Sequence, residues 1–361
     1  MDSAGVAARR TSFSVLAIAA HLAIACQPEP QRAPVVVRDS LGIEIVENHE
    51  PLWALLEGWR FDADPSLEIE LGADSSRRNG PRITAGARLA DGRIVLLDRS
   101  TYELRYHDGE TGTPVGRAGG RGRGPGQFSP PGDLRIGAAD TIYVWDEPWD
   151  GVVVFDGAGR HIRTERVGDG RRVQYLFAWP PPPPPLLTSP HSLVTAGTFP
   201  AADSVHSFVV VARLRFEFDR TDTLATFLME PEPAFGDRVV IAAGPADEEL
   251  YVGRVTSREF RRFVGTRLRR IVRASGDSAT HPMYTTLFID RAGCVWMRLH
   301  EQPAAGDGER WLVFDRGGRE LGEMALPRGL TPLDIGGDYV LGVIRRTGGG
   351  ESVVLHGLHR D

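Results

Sequence analysis

Lysine is absent from this chain: all 42 of its basic side chains are arginine. That absence removes the P-loop, whose lysine must reach the phosphates of a bound nucleotide. The most glycine-dense stretch, GGRGRGPGQF (residues 119–128), fails the dinucleotide fingerprint as well, because Gly-x-Gly-x-x-Gly would need glycine where Pro125 or Gln127 stands. Asparagine occurs only as Asn48 and Asn79, and cysteine only as Cys26 and Cys294. Two cysteines supply no disulfide framework, and Cys294, within CVWM, reads as a small buried apolar residue. No Gly-x-Ser-x-Gly and no His-Glu-x-x-His occurs, so the serine hydrolase elbow and the zinc metalloprotease helix have no foothold. A net charge of −6 gives no whole-molecule attraction to nucleic acid.

What is present begins with an export signal over residues 1–26. Arg9 and Arg10 precede a 13-residue apolar run, FSVLAIAAHLAIA, which is too short to span a bilayer. The run ends LAIAC, which resembles a bacterial lipoprotein signal, in which the cysteine becomes the lipidated first residue. Ala23 stands where leucine is usual, and His21 interrupts the run. An ordinary cleaved signal is the alternative. The lipoprotein reading makes Cys26 the anchor of an exported protein on the periplasmic or cell-surface side of a membrane. Residues 27–37, opening QPEPQRAP, are Pro-rich and polar and suit a tether.

Beyond the tether, short β-type runs broken by Gly, Asp and Pro dominate, with almost no helical periodicity. A pattern of apolar run, tight turn, second run, loop, third run and turn to a fourth recurs through the chain. Its clearest copies are residues 87–119, 132–168 and 286–326. The first turn of each unit falls near Asp91, Asp140, His191, Asp247, Ala292 and Gly337, at intervals of 45 to 56 residues. Six four-stranded units at such a period predict an all-β, six-bladed propeller of four-stranded antiparallel blades, occupying residues 38–361 as one domain. The last unit has only three runs of its own. The alternating strand PSLEIELG, residues 65–72, is placed to supply the fourth and close the ring, and LGIEIVEN, residues 41–48, to add a further edge strand.

The run GRGRGPGQFSPPGDLRIGAADTIYVWDEPWDGVVVFDGAGRHIR resembles an NHL-type propeller repeat, and residues 38–361 as a whole resemble the six-bladed β-propeller lipoproteins of bacteria. The resemblance implies the fold and transfers no reaction. Six-bladed propellers include calcium-dependent lactonases, whose metal is held by Asn and acidic side chains of inner strands. Here neither asparagine reaches an inner strand, and only Asp334 is an oxygen ligand so placed. NHL-type amidating lyases would require several histidines at the channel. His107, His161, His300 and His356 fall on outer runs or loops, and His281 alone lies near the mouth, where one histidine does not make a zinc site.

Arginine in the links between blades is the more informative constellation. Arg82, Arg121, Arg123, Arg172, Arg238 and Arg328 all precede inner strands, where their planar forks suit carboxylate or phosphate. The plainer explanation is that arginine is the default cation here, with Asp169, Asp237 and Glu232 nearby to blunt the field. The run Arg254 to Arg273, with eight arginines, reads as a solubilising outer strand. The hexaproline Pro180 to Pro185 reads as a stiff spacer. The sequence thus predicts a lipid-anchored, non-catalytic binding propeller, monomeric and without a cofactor. Its partner would be a protein or an anionic small molecule met at an arginine-lined mouth. The alternative is a metal-dependent propeller hydrolase or lyase holding a divalent ion through Asp334.

Overall fold

The computed structural model describes residues 33–54, 58–71, 82–129, 131–146, 151–166, 186–200, 207–215, 220–229, 238–276, 284–300, 308–345 and 350–360. The first four described strands are β1 (Val35–Ser40), which pairs with β2 (Ile43–Asn48), then β3 (Arg60–Phe61) and β4 (Leu67–Leu71); β2, β3 and β4 find partners far downstream. Five meanders of four antiparallel strands follow. They are β5–β8 (Ile83–Arg88, Ile94–Asp98, Glu103–His107, Pro114–Gly119), β9–β12 (Pro131–Ile136, Ile142–Asp146, Gly151–Phe155, His161–Arg166) and β13–β16 (Leu186–Ser189, Ser192–Pro200, Ser207–Arg215, Arg220–Met229). Then come β17–β20 (Val239–Ala243, Glu249–Arg254, Glu259–Val264, Arg267–Arg273) and β21–β24 (Tyr284–Ile289, Val295–Leu299, Gly308–Phe314, Glu320–Pro327). The sixth sheet has β25 (Leu330–Ile335), β26 (Tyr339–Arg345) and β27 (Glu351–His359), completed by β4 in antiparallel register from Glu351↔Leu71 to Leu355↔Leu67. The molecule is a six-bladed β-propeller, closed by the strand that the sequence nominates.

Its core is divided among the blade junctions. Six apolar clusters each join one blade to the next, from Ile83, Ile94 and Leu96 against Leu341 and Val353, round to Trp296 and Trp311 against Val340 and Val354. The middle strands of a blade are therefore covered on both faces, which is why Ile94–Asp98, second in its blade, and Gly151–Phe155, third in its blade, are buried at every position and do not alternate. At the first junction, Phe128 from the glycine-rich link is fully buried, edge-on to Phe155 with ring centroids 6.3 Å apart. Gly119 permits this with a φ of +88°; a Cβ there would meet the Phe128 ring at 2.8 Å.

The LGIEIVEN strand does add an edge strand, but to the fourth blade: β2 pairs in parallel with β20, and β1 lies outside it. The run Arg254 to Arg273, read from the sequence as a solubilising outer strand, has its outer edge covered by β2 and several of its arginines paired. Arg270 pairs with Glu44 at 2.8 Å and Arg273 with Glu47 at 2.6 Å, while Arg261 and Arg262 pair with Glu259 and Glu249. Arg267 and Arg269 stay exposed. Buried Asn48 fixes the arrangement: its amide nitrogen donates to Arg273 O (2.9 Å) and Gly318 O (3.0 Å), and its oxygen accepts Glu320 N (2.8 Å). The chain then passes over the fifth blade, where Trp53 lies against Gly322, to Trp59, which contacts Trp296 with centroids 5.9 Å apart.

Candidate functional site

The six inner strands, β5, β9, β13, β17, β21 and β25, surround a cavity of about 500 Å³. Small residues make the room: Gly86 and Ala87 on β5, and Ala242, Ala243 and Gly244 at the end of β17. Leu134, Leu187, Ile241, Leu287 and Leu333 supply apolar wall. The polar lining is Asp133, Arg135, Asp140, Asp290, Arg291 and Asp334. Most of it sits at the far ends of the inner strands or in the turns that follow them, opposite the links that lead into those strands.

These polar groups tie blades together. Arg135 reaches from the second blade to the fourth, donating to Gly244 O (3.2 Å) and Ala246 O (3.1 Å), with Asp247 at 3.5 Å. Asp334 accepts Arg291 Nε (2.8 Å) and Nη2 (2.6 Å), the Tyr339 hydroxyl (2.7 Å) and Arg88 N (2.9 Å). The guanidinium groups of Arg88 and Arg291 both lie over the Tyr339 ring, 5.2 and 5.8 Å from its centroid. Burial and the neighbouring Asp334 push the Tyr339 phenol well above its usual range. Asp290 is buried, accepting Ala292 N, Cys294 N, Trp296 Nε1 and Arg360 Nη2 at 2.8–3.1 Å. Burial also pushes the neighbouring Cys294 thiol up to about 12. Asp140 accepts Ala90 N through both oxygens. Asp133 accepts Leu134 N and Leu187 N, both at 2.9 Å, and burial pushes its carboxyl up to about 6 against those two bonds.

Among the described residues, the arginines nominated from sequence do not border this cavity. Arg82 and Arg238 stand immediately before β5 and β17, Arg328 between β24 and β25, and Arg121 and Arg123 in the β8–β9 link, all exposed. Arg121 lies over the Tyr102 ring at 5.3 Å. Arg172, His281 and Cys26 fall outside the described residues, as does the hexaproline. Asp334 does line the channel, with both oxygens engaged as above. Among the described residues, no three His, Cys, Asp or Glu side chains are grouped as a metal site requires. His107 and His356 are buried, their Nδ1 atoms against Gly112 O and Asp62 O, and burial holds both imidazoles below the usual histidine range.

Asp133, Arg135 and Arg291 went unnoticed in the sequence. Their signal was the polar pair flanking Leu134 in GDLRIG and the arginine in the turn FIDRAG, both at the downstream ends of inner strands.

The fold defines the class, a six-bladed propeller, and comparison with known proteins goes no further than that. No family model and no curated protein matches the chain. Among solved structures, it is similar to a member of the DUF4221 family from Bacteroides vulgatus, with a TM-score of 0.51 and 11% identity over 84% of this chain and 99% of that one. A Bacteroides fragilis protein predicted to be exported gives 0.47 and 12% identity over 88% and 99%, and a gluconolactonase from Xanthomonas campestris 0.42 and 14% over 82% and 100%. At such identities the likeness shows the architecture alone.

Proposed function

We propose that this chain is a non-catalytic binding propeller, anchored through Cys26 to a membrane on the exported side, which seats a small ligand in its channel. The observation that carries the reading is the cavity of about 500 Å³ reached by all six inner strands, within the roughly 300–1,000 Å³ usual for small-molecule sites. Its arginines are held by internal bonds, so the walls are preformed and a ligand need not order them. Asp334, on which the metal-dependent alternative rests, spends its oxygens on Arg291, Tyr339 and Arg88 N–H, which favours the binding function. The exposed link arginines Arg82, Arg121, Arg123, Arg238 and Arg328 offer forks to an acidic partner at the opposite mouth.

A thermal-shift screen of small molecules on the full chain tests the reading. A channel ligand at 100 times its Kd adds about 2.7 kcal/mol of stability, and Ala243→Phe, whose ring would fill the cavity, should abolish that gain. A ligand that stabilises both proteins equally binds elsewhere. Membrane fractionation tests the anchor: Cys26→Ala should move the protein to the soluble fraction, and unchanged membrane association would reject lipidation.

A further inference from the structure

Four aspartates and two arginines border the channel cavity, and four of these six groups are already paired or pinned. Asp334 is neutralised by Arg291 and Asp290 by Arg360, at 2.6 and 2.8 Å. Asp140, in the exposed turn after β9, shares one N–H, that of Ala90, between its two oxygens. Arg135 is pinned on the carbonyls of Gly244 and Ala246. Strands β5, β13 and β17 bring no titratable side chain to the lining.

Asp133 is the one inner-strand aspartate of the lining that, among the described residues, makes no ion pair. Arg135, two residues along β9, supports the Asp133 carboxylate only from a distance, because its own donors are held on the carbonyls of Gly244 and Ala246. The two Asp133 oxygens each accept one backbone N–H, from Leu134 and Leu187, which leaves each a further lone pair. Around it stand Leu134, Leu186 and Leu187. A carboxylate in such surroundings without a counter-ion is unfavourable, and a cation entering the cavity would relieve it.

We propose that Asp133 is the counter-ion for an organic cation, a primary ammonium whose apolar body packs against Leu187, Ile241, Leu287 and Leu333. An anion finds no equivalent, since both arginines of the lining are already engaged. A divalent metal would need several oxygen ligands that the apolar wall does not offer. The inference rests on the channel being the ligand seat.

Isothermal titration of the full chain with hexylamine, hexanol and hexanoate, matched in length, separates the possibilities. Hexylamine should bind at least about tenfold tighter than hexanol, the margin expected of one charge-assisted hydrogen bond, and hexanoate should not bind. Asp133→Asn should remove the preference for the amine. Because that variant leaves one backbone N–H without its acceptor, wild-type protein supplies an independent check. The amine stays protonated throughout, while Asp133, titrating near 6, loses its charge on acidification, so affinity should fall about tenfold from pH 7.5 to pH 5. Hexanol affinity should not change. Equal binding of amine and alcohol, or an amine affinity flat in pH, overturns the cation inference and leaves the channel as a seat. Failure of all three probes, together with no ligand sensitive to Ala243→Phe, overturns the channel reading itself.

Discussion

Asp334 joins three blades through one carboxylate: it stands on the sixth, takes Arg291 from the fifth and accepts Arg88 N of the first. Its removal would leave the Tyr339 hydroxyl and the Arg88 N–H without acceptors. Arg291, 44% exposed, would lose its ion pair but keep access to water. Asp334→Ala should cost about 3 kcal/mol, read as a lower urea midpoint at unchanged slope, and Asp334→Asn less, since an amide oxygen still accepts. That Asp334 points inward was legible, because it interrupts an apolar inner strand. Its partners were not: Arg291 lies 43 residues away and Arg88 246, so the cluster exists only once the ring closes. Phe128 shows the opposite case. Its place between the first two blades could be read from the glycines before it, since link and wedge are adjacent in sequence.

At the scale of elements, the N-terminal hairpin acts as a cover. A bare β20 would present unpaired backbone alongside a strand of alternating arginines, and β2 satisfies that edge while Glu44 and Glu47 meet Arg270 and Arg273. Asn48 makes the cover specific, bonding to the fourth and fifth blades at once. Asn48→Ala should therefore cost about 2 kcal/mol. It should also raise amide exchange in β2 and β20 ahead of the inner strands, as hydrogen-exchange mass spectrometry would detect; uniform exchange would mean that the hairpin is held by its ion pairs alone. The strand pattern of LGIEIVEN was legible, but not which blade it joins. A short alternating strand fits many edges, and the choice is made by acidic residues meeting arginines more than 200 residues downstream.

For the whole molecule, two kinds of buried group give stability opposite pH slopes. His107 and His356 are held below the ordinary histidine value by burial. Their contribution is present above about pH 6.5 and is lost as pH falls through their folded values. Asp133 is shifted the other way, from 3.8 to about 6, so its contribution is complete below about pH 4 and is lost as pH rises through 6. The stability of wild type relative to Asp133→Asn should accordingly grow by about 2 kcal/mol between pH 7.5 and pH 4, measured as the difference in urea midpoints; a constant difference would show that the carboxyl is not desolvated. Ring closure carries a consequence in time. Strand β4 is complete at Leu71, but its partner begins at Glu351, about 280 residues later. At roughly 5–20 residues per second, a ribosome needs about 15 s to a minute to make the intervening chain. For that interval Leu67, Ile69 and Leu71 have no sheet to join, so a newly made chain depends on whatever shields those three side chains until its last strand emerges.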